Sequence, residues 1–215
     1  MIGEIGKFEL DGSDFVTSDP HFGHKNVIAY CGRPFCCKDS MNEGLILRWN
    51  GVVTKPDQRV FVLGDFAFGS PAFITRILSR LNGYKILIKG NHDRGRNSME
   101  KFGFDEVYLQ AECTYEGQTV FMQHVPHVKR HKEFDIHLCG HVHEAWTKSE
   151  NIINVGVDVW DLKPQRLKHV IEYADRVQKA MLVQKTVHGA WEERNDKIIN
   201  EIEERVANAG NSPSE

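Results

Sequence analysis

Short apolar runs alternate with longer amphipathic stretches along most of this chain. Runs at 15–18, 59–64, 85–90, 119–123, 135–139 and 152–157 have the length and the β-branched or aromatic content of buried strands. Met41, Leu45 and Trp49 recur every four residues, which predicts a helix over 39–53 with one apolar stripe. Phe73, Ile74, Ile77, Leu78 and Leu81 predict a second helix, with Ser70 as N-cap, Pro71 at its first position and Gly83 just past its end. Strand, helix and strand over 59–90 make a βαβ unit, so part of the sheet should be parallel. Residues 106–139 carry shorter strands and turn signals such as Glu116-Gly117, and are expected to run partly antiparallel.

After Pro164 the pattern reads as wholly helical. One stripe comprises Leu167, Val170, Ile171, Ala174, Val177 and Met181; another comprises Trp191, Ile198, Ile199, Ile202 and Val206, beyond a break near Gly189. The expected organisation is therefore a domain over 1–163, a helical extension over 164–209 packed on the domain or on a second subunit, and a disordered tail over 210–215. Residues 163–215 hold nine Lys/Arg and nine Asp/Glu, so the extension is not a basic arm.

Composition narrows the setting. The 215 residues, 40% hydrophobic and 27% charged, suffice for a core that needs no disulfide or zinc staple. A formal net charge of −3 argues against bulk coating of nucleic acid. The five cysteines are odd in number, without a CxxC spacing, and read as reduced thiols of a cytoplasmic protein. No signal peptide and no membrane span is indicated.

The chemistry sits where the strands end. The run at 15–18 is followed by Asp19 and His21, the run at 59–64 by Asp65, and Lys85-Ile-Leu-Ile-Lys-Gly by Asn91, His92 and Asp93. The next two runs are followed by His124 and by His141-x-His143. In α/β sheets the carboxyl ends of parallel strands gather ligand sites, so these groups are expected to converge. Two aspartates, one asparagine and four histidines offer hard oxygens and imidazole nitrogens without a thiolate, a set that suits Mn²⁺, Fe, Zn²⁺ or Ni²⁺. Seven ligands exceed what one ion takes from protein while keeping room for water. Two divalent ions sharing a bridging carboxylate fit better, an arrangement that clamps both oxygens of a phosphoryl displacement.

The order Asp-x-His, Gly-Asp, Gly-Asn-His-Asp, His, Gly-His-x-His resembles that of the calcineurin-like metallophosphoesterases. The resemblance covers roughly 15–164 and is closest to the small single-domain bacterial and phage members, which carry stretches similar to SDPHFGHKNVI, LGDFAFG, IKGNHDR and NVGVDVWDLKP. It implies a four-layer α/β/β/α sandwich of two mixed sheets. It implies one metal on Asp19, His21, Asp65 and His143, with Asp65 bridging, and a second on Asp65, Asn91, His124 and His141. His92 would protonate the leaving oxygen, with Asp93 orienting its ring, and a metal-bridging hydroxide would be the nucleophile. The expected activity is hydrolysis of a small, nucleotide-type phosphoester; the alternatives are a nuclease or a non-catalytic scaffold of the same fold.

Basic residues follow two motifs closely: Arg94 and Arg96 after the Gly-Asn-His-Asp turn, and Lys129, Arg130, His131 and Lys132 after His124. One of Arg94, Arg96 or Arg130 is expected near the bound anion. Lys25, Asn26 and Arg33 could line the same mouth. His127, His131, His137, His169 and His188 match no ligand position and read as surface or core residues. The expected partners are a phosphoester substrate and, at most, a second copy of the chain; nucleic acid is not favoured, and no membrane is involved.

Overall fold

The predicted strands assemble into two mixed sheets in the computed structural model, which describes residues 5–127, 133–177, 179 and 180. The five-stranded sheet runs β11 (Gln165–Arg166), β2 (Phe15–Thr17), β3 (Arg59–Val62), β4 (Tyr84–Ile88), β5 (Glu106–Tyr108). Its members β2 to β5 are all parallel, and β11 is an antiparallel edge. The six-stranded sheet runs β1 (Ile5–Glu9), β6 (Gln110–Tyr115), β7 (Gln118–Met122), β8 (Ile136–Cys139), β10 (Ile152–Asn154), β9 (Lys148–Ser149). There β6 and β7 form an antiparallel hairpin, while β7, β8 and β10 run parallel. Glu116 and Gly117 both take positive φ (48° and 82°), as a two-residue hairpin turn requires. The α/β fold with two mixed sheets expected from the sequence is the one observed.

Alternation along the central strands explains both layers. Val60, Val62 and Leu87 join one apolar cluster with Met41, Leu45 and Trp49 of α2 (Lys38–Val52) and with Ile74, Ile77 and Leu78 of α3 (Pro71–Leu78). Their neighbours Phe61, Ile86 and Ile88 are also fully buried but lie outside that cluster. Phe61 instead meets Phe8 of β1 edge-on, at 5.1 Å between centroids, so the second sheet covers this face. A strand covered on both sides needs an unbroken apolar run, which is why these segments were legible. The start of α3 is as expected: Ser70 Oγ accepts the Phe73 N–H at 3.2 Å and Pro71 opens the helix.

Several elements escape the pattern. α1 (Val27–Tyr30) and α4 (Arg96–Phe102) are too short to show a period. β1 is interrupted by Gly6, where a Cβ would lie 2.6 Å from the Phe8 ring and 3.2 Å from Tyr108. The chain after Pro164 is not helical at once: Gln165 and Arg166 pair with Val16 and Phe15, and the Leu167 N–H donates to the Asp14 carbonyl at 2.8 Å before the helix starts. Contacts divide the chain into two compact units, Met1–Ile171 and Glu172–Glu215. The first holds both sheets, with Leu167, Val170 and Ile171 buried in it. In the second, residues 172–177 are helical. Met181, the stripe from Trp191 to Val206, His188 and the tail over 210–215 lie outside the described residues. Among the described residues, no helix is long and apolar enough to cross a membrane.

Candidate metal centre

Backbone pairing continues past the strands and brings the motif residues together. Beyond β2 and β3, the Asp19 N–H donates to the Gly64 carbonyl (3.1 Å), His21 N–H to Asp65 (3.2 Å) and Phe22 N–H to Phe66 (2.9 Å). The two loops therefore run in step, and Asp19 and Asp65 emerge side by side. The parallel ends of β7 and β8 deliver His124 and His141 from the other sheet. Gly64 takes φ +89°, and a Cβ there would stand 2.6 Å from both the Gly90 Cα and His124 Nδ1. Only glycine allows the two sheets to approach so closely at this point.

The side chains form two groups that could hold metal ions: Asp19, His21 and His143 in one, Asp65, His124 and His141 in the other, with their ligand atoms within 4.8 Å of one another. Asn91 joins the second through its Oδ1, 3.0 Å from His124 Nε2. Asp65 stands between the groups, its Oδ2 lying 3.7 Å from His21 Nε2 and 3.4 Å from His124 Nε2. All seven expected ligand residues thus converge.

Two features mark this cluster as unfavourable by itself. Asp19, His21, Asp65, His141 and His143 all have positive φ, between 47° and 71°, a conformation costly for residues with a Cβ and concentrated at functional sites. Asp19 Oδ1 and both His21 ring nitrogens are buried with no hydrogen-bond partner among the described residues. Buried polar atoms are ordinarily paired, and a cation between carboxylate and imidazole would satisfy these. Burial alone would raise the Asp65 carboxyl, but the His124 imidazole and the His92 amide outweigh it and hold it down to about 2. Burial would lower His124; its contact with Asp65 prevails and raises it.

The Gly-Asn-His-Asp turn divides its labour differently from the expectation. His92 is exposed at the rim, its Nε2 3.9 Å from Asp65 Oδ2, while its N–H donates to Asp65 Oδ1 at 3.0 Å. Asp93 is buried and its oxygens accept three amides: Asp65 N–H at 2.9 Å, Gly90 N–H at 2.8 Å and Phe66 N–H at 3.0 Å. The carboxylate that was expected to orient the His92 ring instead ties the turn to the loop after β3. Burial pushes this carboxyl up, opposed by the same three amides.

Around the cluster, Arg33 does not line the mouth, as its place after the first motif would have allowed: it is buried, with its guanidinium on Asp158 (2.7 and 2.9 Å) and on the Asp19 and Pro20 carbonyls (2.8 Å each). Asp158 in turn meets His143 Nδ1 at 2.8 Å. The buried Asn154 donates to the His143 and Trp146 carbonyls and accepts from Gly156. The NVGVD stretch is therefore the cradle of the His143 loop, a role that no sequence signal gave it. Lys25 and Asn26 are exposed. Arg94 donates to the Gly69 carbonyl and Arg96 pairs with Glu100, so neither reaches the cluster through these contacts. Arg130, with Lys129, His131 and Lys132, lies outside the described residues. His24 was not singled out; its ring stacks on Phe68 at 4.5 Å, and Phe68 also stacks on His21. His137 is buried against Phe121 as a core histidine, whereas His169 is exposed at the surface beside Trp160. A further group, Cys31, His143, Glu144 and Asp158, is a poorer cation site: Asp158 is already engaged, and burial pushes the Cys31 thiol up to about 12.

Fold and site together define an α/β protein of two mixed sheets with a His/Asp cluster at the strand ends. No family model matches the chain. An uncharacterized protein of Methanocaldococcus jannaschii, MJ1445, is 32% identical over 174 residues, covering 75% of this chain and 91% of that protein. The chain belongs to one family with this archaeal protein. The crystal structure of the protein of unknown function AQ665 from Aquifex aeolicus superposes with a TM-score of 0.59 at 25% identity, over 74% of this chain and 97% of that one.

Proposed function

We propose that the chain is a dinuclear-metal phosphoester hydrolase acting on a small, nucleotide-type phosphoester. The observation that carries this reading is the position of Asp65, one carboxylate oxygen within 3.4–3.7 Å of imidazole nitrogens from both groups. Asp19, His21 and His143 would hold one divalent ion, Asn91, His124 and His141 the other, and Asp65 both. The donor set suits Mn²⁺ first, with Fe, Zn²⁺ or Ni²⁺ as alternatives. Such ions supply Lewis-acid polarisation of a phosphoryl oxygen and an activated water. His92 stands at the exposed rim beside Asp65, from where it would give a proton to the departing oxygen. Phe68 and His24 shield His21 from solvent, which keeps the centre dry on that side. The chain's own contribution is thus to hold the ligands, exclude water and deliver one proton.

The test is hydrolysis of bis-p-nitrophenyl phosphate and p-nitrophenyl phosphate by metal-stripped protein reloaded with Mn²⁺. Diester turnover that needs the metal and falls by about 10²–10⁴-fold in His92→Ala is expected. Metal content should drop at both sites in Asp65→Asn. Turnover indifferent to stripping, or unchanged metal content in Asp65→Asn, would sink the dinuclear reading. Cleavage of single-stranded DNA or RNA in preference to either ester would move the assignment to a nuclease.

A further inference from the structure

Arg33 and Asp158 lie 125 residues apart, yet they form the most enclosed ion pair beside the cluster, with side chains 1% and 2% exposed. The guanidinium distributes four bonds to oxygen: Nε and one terminal nitrogen to the two Asp158 oxygens, and the terminal nitrogens to the carbonyls of Asp19 and Pro20. Asp19 and His21 flank that backbone and both sit at positive φ (55° and 51°), so the two carbonyls belong to the strained turn itself. On its other side, Asp158 Oδ2 lies 2.8 Å from His143 Nδ1. Arg is charged throughout the accessible pH range, so its bidentate partner stays a carboxylate and can only accept. Nδ1 of a neutral His143 must then carry the hydrogen, and the nitrogen left with a free lone pair is Nε2.

From this juxtaposition we infer that the Arg33–Asp158 pair is the positioning device of the first metal group: Asp158 selects the Nδ1–H tautomer of His143, and Arg33 locks Asp158 to the Asp19–Pro20 backbone. The metal part of this inference rests on the function proposed above; the tautomer part does not. One guanidinium registers two of the group's three residues, Asp19 through its main chain and His143 through its ring. Second contacts of this kind orient a ligand imidazole and raise its donor strength. Lysine could not replace Arg33, because a single ammonium cannot span a bidentate carboxylate and two divergent carbonyls.

The experiment is long-range ¹H–¹⁵N correlation on the metal-free full chain with ¹⁵N-histidine, His143 assigned by its absence in His143→Ala. The wild type is expected to show the Nδ1–H tautomer, and Asp158→Ala to shift His143 toward Nε2–H or a mixture. Asp158→Glu, which keeps an acceptor, should restore part of the wild-type signal. Should the alanine variant fail to fold, Asp158→Asn keeps the shape but turns an amide donor toward one of its donors, and the same shift is expected. Mn²⁺ titration of the folded variants should show one site weakened about 10–100-fold with the other retained. An Nδ1–H signal that persists without the carboxylate overturns the inference. A tautomer shift in a protein that takes up no metal would instead leave the positioning intact and remove the hydrolase reading.

Discussion

In an Asp93→Ala variant three amide N–H groups lose their acceptor: Asp65 (2.9 Å), Phe66 (3.0 Å) and Gly90 (2.8 Å). All three bonds are buried, and a buried donor left unsatisfied costs about 1–3 kcal/mol. The three converge on one carboxylate and are not independent, so the sum falls toward the lower end, about 3–5 kcal/mol. That is a large share of the roughly 5–15 kcal/mol that holds a typical domain folded. His92, by contrast, is exposed, and truncating its ring should change stability by about 0.5 kcal/mol or less. Urea unfolding of the metal-free full chain followed by circular dichroism separates the two, with diester turnover measured on the same preparations. The expected result is an unstable Asp93→Ala and a stable, inactive His92→Ala. An Asp93→Ala protein within about 1 kcal/mol of wild type, yet as inactive as His92→Ala, would show that the carboxylate serves the ring and not the turn.

Two more outcomes can be checked with the same material. Cys36 and Cys37 are exposed, whereas Cys113 and Cys139 are buried and their thiols are pushed up by burial, Cys113 to about 12. Iodoacetamide should therefore label the first two in the folded protein and the last two only after unfolding, as read by intact mass; early labelling of Cys113 would contradict its placement in β6. Burial would raise the Asp158 carboxyl, but His143 and Arg33 outweigh it and hold it below its ordinary 3.8. A depressed value adds stability that is complete above the unfolded-state value and is lost as pH falls through the folded-state one. The stability gap between wild type and Asp158→Asn should therefore narrow as urea unfolding is moved from about pH 6 to about pH 3, and a constant gap would refute the ion pair's contribution.

The residues that sequence reasoning located are those whose position is set by a strand immediately before them. Asp19, Asp65 and Asn91 each follow an apolar run, and parallel pairing of β2, β3 and β4 then leaves geometry little choice. Partners from distant segments were not legible. Asp93 neighbours His92 in sequence, so ring support was the natural expectation, yet two of its three donors come from the loop after β3. Arg33 could be read as a mouth residue because it follows the first motif; its partner Asp158 comes from across the fold and gives no local signal. The short edge strand β11 has only two residues, too few for any period to register, and Pro164 before it mimicked the start of a helix.

The cluster is assembled against local preference. Five residues with side chains are held at positive φ, each at a cost of about 1–3 kcal/mol, and three buried polar atoms of the cluster lack hydrogen-bond partners among the described residues. Such an arrangement persists only where its surroundings over-determine it. Here the surroundings are specific: the paired loops after β2 and β3, the three amides on Asp93, the four bonds from Arg33 to oxygen, and the two carbonyls and one amide held by Asn154. None of the last three residues belongs to either ligand group. Variants of this protein should therefore fall into two kinds. Replacing a ligand such as His21 removes an unpaired buried group, so the metal-free chain should lose little stability or gain some. Replacing a holder such as Asp93 or Asn154 exposes the strain and should destabilise the chain whether or not metal is bound. A cluster that was merely a packed polar core would behave in the opposite way, with the His21 variant as costly as the rest.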